Sequence, residues 1–341
     1  MTLVDSAALA PLRRAQLWNQ VKTNLHLVKA FPLSGGVTPH DLPKLLRKAG
    51  HKVGIVTSSP KWYAEEIIKR FGIEHDALVS YGDTTNHKPD PEPLNAALGI
   101  LGEKARKEIY YVGDDVADTE AAYHAGITSV GVNWGLSTFS AVASAAPDLF
   151  VGDASRVLKT KEFDSLEYAA EALTSGRDFV THWGSVLRCE GDPLVYALGR
   201  YFTASDPRHG GSALCTAVLS LKSKDTHAEI LGQAVGRTAG DLDGWKCRYI
   251  VPVPPKPSQD RNRFDQVLAA AKAYLPASVE IYLEGLKCIK EVAGYKQMNA
   301  SERQEAIKGA FETGYNWKGN DILVLDDVYT TGETVKECIE Y

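Results

Sequence analysis

A chain of 341 residues and 37.1 kDa is long for one compact core, so two domains are expected. Its 44% hydrophobic and 24% charged content is ordinary for a globular protein, and a net charge of −5 with pI near 6.0 argues against nucleic-acid binding. No apolar run is long enough to span a bilayer and no charged-then-apolar leader opens the chain, so a soluble, cytoplasmic protein without membrane partners is expected.

In chain order, His51–Thr57 (HKVGIVT) reads as a buried strand and Lys61–Phe71 as an amphipathic helix. A short strand at Ala77–Ser80, a helix around Pro93–Leu101 and a strand at Glu108–Val112 follow. A helix at Asp118–Ala125 and a strand at Ser129–Val132 complete the series. Repeated strand–helix units imply a parallel sheet covered on both faces. Gly50, Gly72, Gly102 and Gly126 fall where helices should end, as C-terminal caps do.

Residues 150–185 are more polar and are read as the junction between domains. Beyond them come helical segments at Leu194–Phe202, Gly211–Lys222 and Ala228–Ala239. Strands at Arg248–Val253 and Val279–Tyr282, a helix at Ser301–Ala310 and a last strand at Ile322–Leu325 follow. The expected fold class is α/β, with two Rossmann-like three-layer domains of mainly parallel sheets. Residues 1–155 form the first, 156–185 the connecting segment and 186–341 the second. The five cysteines (Cys189, Cys215, Cys247, Cys288, Cys338) are scattered without a CxxC pair, which argues against a zinc site or a disulfide framework.

At Ile322–Leu325 four apolar residues end on two adjacent carboxylates, Asp326 and Asp327. The turn Thr330, Thr331, Gly332, Glu333, Thr334 and a helix opening at Val335 come next. In an α/β sheet ligands sit at the carboxyl ends of strands. Such a turn can cradle a phosphate with its N–H groups, while paired acids accept hydrogen bonds from ribose hydroxyls. The segment resembles the diphosphate-sugar signature of type I phosphoribosyltransferases. Ile250–Pro255 (IVPVPP), Arg261–Phe264 (RNRF) and Lys296–Phe311 resemble the ComF-type branch of that superfamily, although Ser301 and Arg303 stand closer together than its pattern has them. Lys256, Arg261 and Arg263, just after a strand, are candidates to bind pyrophosphate. The cysteine-rich zinc module that usually precedes ComF-type domains is absent here, which weakens any transfer of a DNA-uptake role. The chain stops at Tyr341, one helix's beginning past the loop, whereas the resembled fold normally continues with at least one more strand and helix, so either a fragment or a trimmed domain is expected.

Four pieces in the first half carry a second chemistry. A buried strand ends in Thr57-Ser58-Ser59, and a lysine sits in His87–Pro93 (HKPDPEP). Another strand ends in Gly113-Asp114-Asp115-Val116-Ala117-Asp118, and a Gly126–Gly135 run follows. A hydroxyl holds a phosphoryl oxygen, a lysine neutralises phosphate, and aspartates bind Mg²⁺ through oxygen. In this order the pieces resemble the haloacid dehalogenase (HAD) superfamily over residues 1–150. The resemblance implies Thr57 and Lys88 as catalytic, Asp114 and Asp118 as metal ligands, and Asp115 as an alternative metal contact.

The first family motif is represented only by Thr2–Leu9 (TLVDSAAL), which makes Asp5 the candidate nucleophile and third metal ligand. Ala7 stands where the family's general acid usually does, a change commonly costing about 10²–10⁴ in rate. The cap would be the stretch Arg13–Phe31. The expected activity is a Mg²⁺-dependent HAD-like phosphohydrolase, acting on a phosphorylated small molecule or nucleotide and joined to a domain that binds phosphoribosyl pyrophosphate. A non-catalytic nucleotide or phosphoribosyl pyrophosphate sensor that regulates a partner is the alternative, and a homodimer is an open assembly.

Overall fold

The computed structural model describes residues 2–135, 137, 142–143, 145–163, 166–180, 186–189, 194–241, 248–291, 298, 300–329 and 332–340. The chain divides into two compact units, Met1–Leu166 and Glu167–Tyr341. The cut lies inside the polar stretch 150–185. No helix among the described residues is long and apolar enough to cross a membrane.

Unit one opens with a two-residue strand β1 (Val4–Asp5), helices α1 (Ala10–Arg14) and α2 (Trp18–Thr23), and β2 (Lys29–Ala30), which pairs antiparallel with β1. Instead of standing apart as a cap, this segment packs into the core. Leu9, Val21 and Val28 are buried against Tyr63, Ile67 and Ile73. Its apolar residues find their water-free surface on the helix that the sequence places at Lys61–Phe71, and their burial outweighs any independent fold for so short a segment.

Helix α3 (Leu42–Lys48) leads into β3 (Gly54–Val56), α4 (Lys61–Phe71), β4 (Ala77–Val79), α5 (Glu92–Leu101), β5 (Tyr110–Gly113), α6 (Val116–His124), β6 (Thr128–Val132) and β7 (Leu149–Val151). The parallel strands fall into two sets, β3–β4 and β5–β6–β7. Gly72 and Gly102 end α4 and α5 in the left-handed region (φ 61° and 68°), which a residue without Cβ enters freely. Leu94 and Leu98 of α5 and Ala121 and Ala122 of α6 share one core with Val56, Ile109 and Tyr111. Both helices are thereby fixed against the strands that carry the site.

Unit two begins with the helix Ala169–Thr174 and an antiparallel pair, β8 (Leu187–Cys189) with β9 (Val195–Ala197). The helix expected at Leu194–Phe202 is therefore a short strand followed by loop; its alternation of Leu194, Tyr196 and Leu198 fits a period of two as well as a helix. Helices Ala213–Ser220, Ala228–Asp241 and Asp265–Ala271 come next, around β10 (Tyr249–Pro252). Strands β11 (Glu280–Ile281), β12 (Lys287–Cys288), β13 (Phe311–Glu312) and β14 (Ile322–Leu325) follow, with helices Ala300–Ile307 and Glu333–Ile339.

Strand β10 is central, parallel to both β11 and β14. Its successive side chains go to opposite faces: Ile250 packs with Phe264 and Leu268, Val251 with Leu286, Ile307 and Phe311. One face is covered by the helix Asp265–Ala271 and the other by the β12–β13 pair with the helix Ala300–Ile307. Helices Ala228–Asp241 and Asp265–Ala271 meet backbone to backbone. A Cβ on Gly232 would lie 2.4 Å from Val267 O, and one on Gly236 2.5 Å from Ala271 O.

Candidate functional site

In unit one the C-terminal ends of β3, β4 and β5 converge. Thr57 continues β3, its N–H donating to Val79 O of β4 (2.9 Å), and its hydroxyl accepts from the Ser59 N–H (3.2 Å). This sharp turn follows a half-buried strand and keeps the hydroxyl at the strand end.

Lys88 lies in the loop before α5. Its ammonium donates to Asp118 Oδ1 (2.5 Å) and to Tyr111 Oη (3.0 Å), with side-chain exposures of only 12% for Lys88 and 8% for Asp118. Burial alone would lower the Lys88 pKa; Tyr111 and Asp118 beside it raise it, and the net shift is upward. Lys88 is therefore a permanent cation. Burial pushes the Tyr111 phenol up, and the Asp118 charge adds to it, so Tyr111 is a neutral hydroxyl. That hydroxyl also reaches Asp118 Oδ1 (3.2 Å) and Val56 O at the end of β3 (3.5 Å).

Asp114 directly follows β5 and is 2% exposed. Its Oδ1 accepts from the Thr2 hydroxyl (2.9 Å), and Thr2 O in turn accepts from the Trp134 indole (2.9 Å). Two glycines make room for the acids. A Cβ on Gly135 would stand 2.1 Å from Asp114 Cβ, and one on Gly113 2.4 Å from Asp118 Cβ. The Gly126–Gly135 run thus matters because its last residue lies against Asp114.

Lys88, Asp118 and the Thr57 strand end are tied together through Tyr111, and Asp114 stands at the end of the same strand. Two expectations change. Asp115 is the N-cap of α6, its carboxylate accepting from the Ala117 N–H (3.0 Å), and does not stand as a free metal contact. Asp118 has Oδ1 on Lys88 and Tyr111 and Oδ2 on the Asp115 N–H (3.2 Å), so both its oxygens already have donors within the protein.

Among the described contacts, Asp5 makes none with Lys88, Asp114 or Asp118. It sits on β1 in antiparallel register with Lys29, and its carboxylate turns onto its own backbone, accepting from the Ala7 N–H (2.8 Å). Thr2, three residues earlier, makes the contact with Asp114. No contact among the described residues supports the nucleophile and metal roles expected of Asp5.

For Mg²⁺, the chemistry of the donors decides. Among the described residues no three His, Cys, Asp or Glu side chains gather as a cation site. With Asp118 engaged by a cation and Asp5 elsewhere, Asp114 remains the carboxylate suitably placed at the strand end. The described side chains do not complete a Mg²⁺ site, and no step is derived through the ion.

Sequence reasoning missed Thr2, Tyr111 and the role of Gly135. Tyr111 carried a signal: it shares a face of β5 with Gly113, two residues on, and Asp118 rests over that glycine. Thr2 carried none, since its partner is 112 residues away.

In unit two, Asp326 and Asp327 follow β14 at the end where β10 also ends; Pro252 is in register with Leu325, and the Val253 N–H continues the ladder to Leu325 O (2.9 Å). The loop after β10 is pinned by Asn262, whose side-chain amide donates to Val253 O (3.3 Å) and whose Oδ1 accepts from the Phe264 N–H (3.0 Å). Arg263 is thereby held against Asp327, with which it forms an ion pair. Burial and the neighbouring Asp327 charge push Asp326 up to about 6.

Arg261 instead pairs in bidentate fashion with Asp225 (2.8 and 2.7 Å), and the Lys256 backbone N–H donates to Gln259 Oε1 (3.1 Å). Gly332 has φ 77° under the Tyr329 ring, Glu333 pairs with Lys336 (3.0 Å), and Thr334 lies in the helix Glu333–Ile339. Thr330 and Thr331 lie outside the described residues, as does Lys296.

A family model for the haloacid dehalogenase-like hydrolase matches residues 15–132. The putative pyrophosphatase PpaX of Caldanaerobacter subterraneus subsp. tengcongensis is 36% identical over 116 residues, 33% of this chain and 52% of that protein. The N-acetylmuramic acid 6-phosphate phosphatase of Pseudomonas aeruginosa is 38% identical over 103 residues, 28% of this chain and 45% of that protein. A predicted phosphoglycolate phosphatase from Haemophilus somnus is a structural neighbour with TM-score 0.39 and 25% identity, over 43% of this chain and 64% of that one. The chain spans about half the length of the curated relatives it matches. The N-terminal region carries a HAD-like hydrolase domain of α/β type with parallel sheets.

Proposed function

We propose that unit one is a phosphohydrolase-type site. It receives the phosphoryl group of a small phosphorylated molecule between Lys88 and the Thr57–Ser59 turn. The observation that carries this is Lys88 itself. A buried, permanently charged ammonium at converging strand ends, held by Asp118 and Tyr111, is an electrostatic site for an anion. The Thr57 hydroxyl is close by to hold a phosphoryl oxygen. Relatives named as a pyrophosphatase and a phosphatase support the same reaction class. The test is release of phosphate from an aryl phosphate with added Mg²⁺, by wild type and by Lys88→Met. Release by wild type that falls at least 100-fold in the variant supports hydrolysis; equal release by both defeats it.

A second reading is favoured by the position of Asp5. Without that carboxylate at Lys88, the site is suited to hold phosphate and report on it, with no turnover. Phosphate binding by calorimetry in the absence of any release would select this sensor reading.

For unit two we infer a binding site for a ribose 5-phosphate, phosphoribosyl pyrophosphate being the fullest ligand and transfer at its anomeric carbon the reaction class. Asp326 and Asp327 accept from ribose hydroxyls, and Arg263 is the cation nearest them. Loss of phosphoribosyl pyrophosphate binding on replacing both aspartates with alanine is the expected result. Unchanged binding removes the reading.

A further inference from the structure

Beside the Lys88 site stands an aromatic pair to which the chemistry above gives no part. Tyr81 and His87 are stacked, with ring centroids 3.8 Å apart and planes at 24°. His87 immediately precedes Lys88. The Tyr81 N–H donates to Ser59 O (3.0 Å), two residues beyond Thr57. Both rings are thus anchored on the two segments between which a phosphoryl group is proposed to sit.

The pair is held from below by backbone clamps. After β4, the Ser80 N–H and hydroxyl both donate to Asp83 Oδ2 (2.8 and 2.6 Å), and these bonds hold the Asp83 carboxyl below its ordinary pKa. On the other side, the Glu92 carboxylate accepts from the Thr85 and Asn86 N–H groups (3.0 and 2.8 Å), and the Asp90 N–H closes the turn onto His87 O (2.9 Å). A turn so fixed does not need its tyrosine for stability. Yet Tyr81 is 51% exposed, the most open tyrosine among the described residues. A rigid ring left in water beside an anion site, already stacked on one planar partner, is preorganised to stack on another.

We infer that Tyr81 and His87 form a stacking platform at the mouth of the Lys88 site, and that the phosphorylated compound taken there carries a planar ring, as a nucleoside monophosphate does. This rests on the phosphate-site reading of Lys88 and narrows it. An inorganic diphosphate or a simple sugar phosphate engages the lysine equally well but gains nothing from the rings. A base stacked on an aromatic side chain gains about 1–3 kcal/mol, roughly 5- to 150-fold in affinity.

The test is calorimetry on the full chain with adenosine 5′-monophosphate and with inorganic phosphate, for wild type, Tyr81→Ala, Tyr81→Phe and Lys88→Met. The nucleotide binding that Lys88→Met removes is the binding at this site. Tyr81→Ala is expected to weaken that component about tenfold and leave inorganic phosphate binding unchanged, while Tyr81→Phe keeps both. Nucleotide binding unaltered by Tyr81→Ala overturns the platform, as does a wild type that binds phosphate and no nucleotide. Equal weakening of nucleotide and phosphate by Tyr81→Ala also overturns it, because the ring would then act on the phosphate pocket as a whole. The phosphate-site reading fails on a different result, namely phosphate binding that Lys88→Met does not change.

Discussion

Thr2 and Asp114, 112 residues apart in sequence, are joined by a hydrogen bond of 2.9 Å from the threonine hydroxyl to Asp114 Oδ1. The bond ties the N-terminal segment to the end of β5 and gives a 2%-exposed carboxylate a donor. Buried acceptors are costly to leave unmatched, about 1–3 kcal/mol each. Thr2→Val is therefore expected to destabilise unit one by about 1–3 kcal/mol in urea unfolding. Asp5→Asn, whose side chain bonds only to its own turn, is expected to leave stability and phosphate affinity within twofold of wild type. The reverse pattern would return Asp5 to the site.

The Lys88–Asp118 pair is nearly buried, and removing one partner strands the other's charge. Asp118→Asn is expected to cost about 3–5 kcal/mol and to abolish phosphate binding, whereas Tyr111→Phe, which removes one hydroxyl, costs about 0.5–1.5 kcal/mol. Denaturant unfolding with calorimetry on the same samples separates the two. A Tyr111→Phe protein as damaged as Asp118→Asn would mean that the phenol has a larger part than orienting the lysine.

Much of this arrangement was legible in the sequence wherever the signal was local. The helix at Lys61–Phe71 and the strand Ile322–Leu325 have the bounds their periodicity and punctuation predict, because an apolar stripe and a following glycine or acid pair act within a few residues. The helix after Lys88, expected around Pro93–Leu101, lies there for the same reason. What failed was non-local. The segment Arg13–Phe31 read as a cap because nothing in it announces the face of α4 on which it lies. Tyr111 read as an ordinary strand residue, since only the fold brings Lys88 to its hydroxyl. Asp5 read as a nucleophile by its place after a short apolar run, while its own backbone takes the carboxylate.

In unit two Gly232 and Gly236 lie close against the backbone carbonyls Val267 O and Ala271 O. A methyl group at either position must push two helices apart. Gly232→Ala and Gly236→Ala are each expected to destabilise by about 1–3 kcal/mol, despite the better helix propensity of alanine. Thermal unfolding of the single variants checks this; a gain in stability would show that the helices yield freely.

Asp326 supplies a pH dependence whose sign follows from its raised pKa of about 6, against an ordinary 3.8. The stability contributed by its protonated form is fully present below about 3.8 and is lost as pH rises through about 6. Ribose binding runs the other way, because the ionised carboxylate is the better acceptor, so affinity is expected to rise as pH passes 6. Arg263 holds this pKa down, and Arg263→Ala is expected to move the Asp326 titration higher, as followed by carboxyl-carbon NMR. A titration that does not move would mean that the arginine does not act on the acid pair.

The most direct measurement is calorimetric titration of inorganic phosphate into wild type and Lys88→Met at neutral pH, with both proteins confirmed folded by circular dichroism. Saturable binding by wild type that is lost in the variant is the predicted result. Binding of equal strength in both proteins, or no binding by folded wild type, would contradict a phosphate site at Lys88.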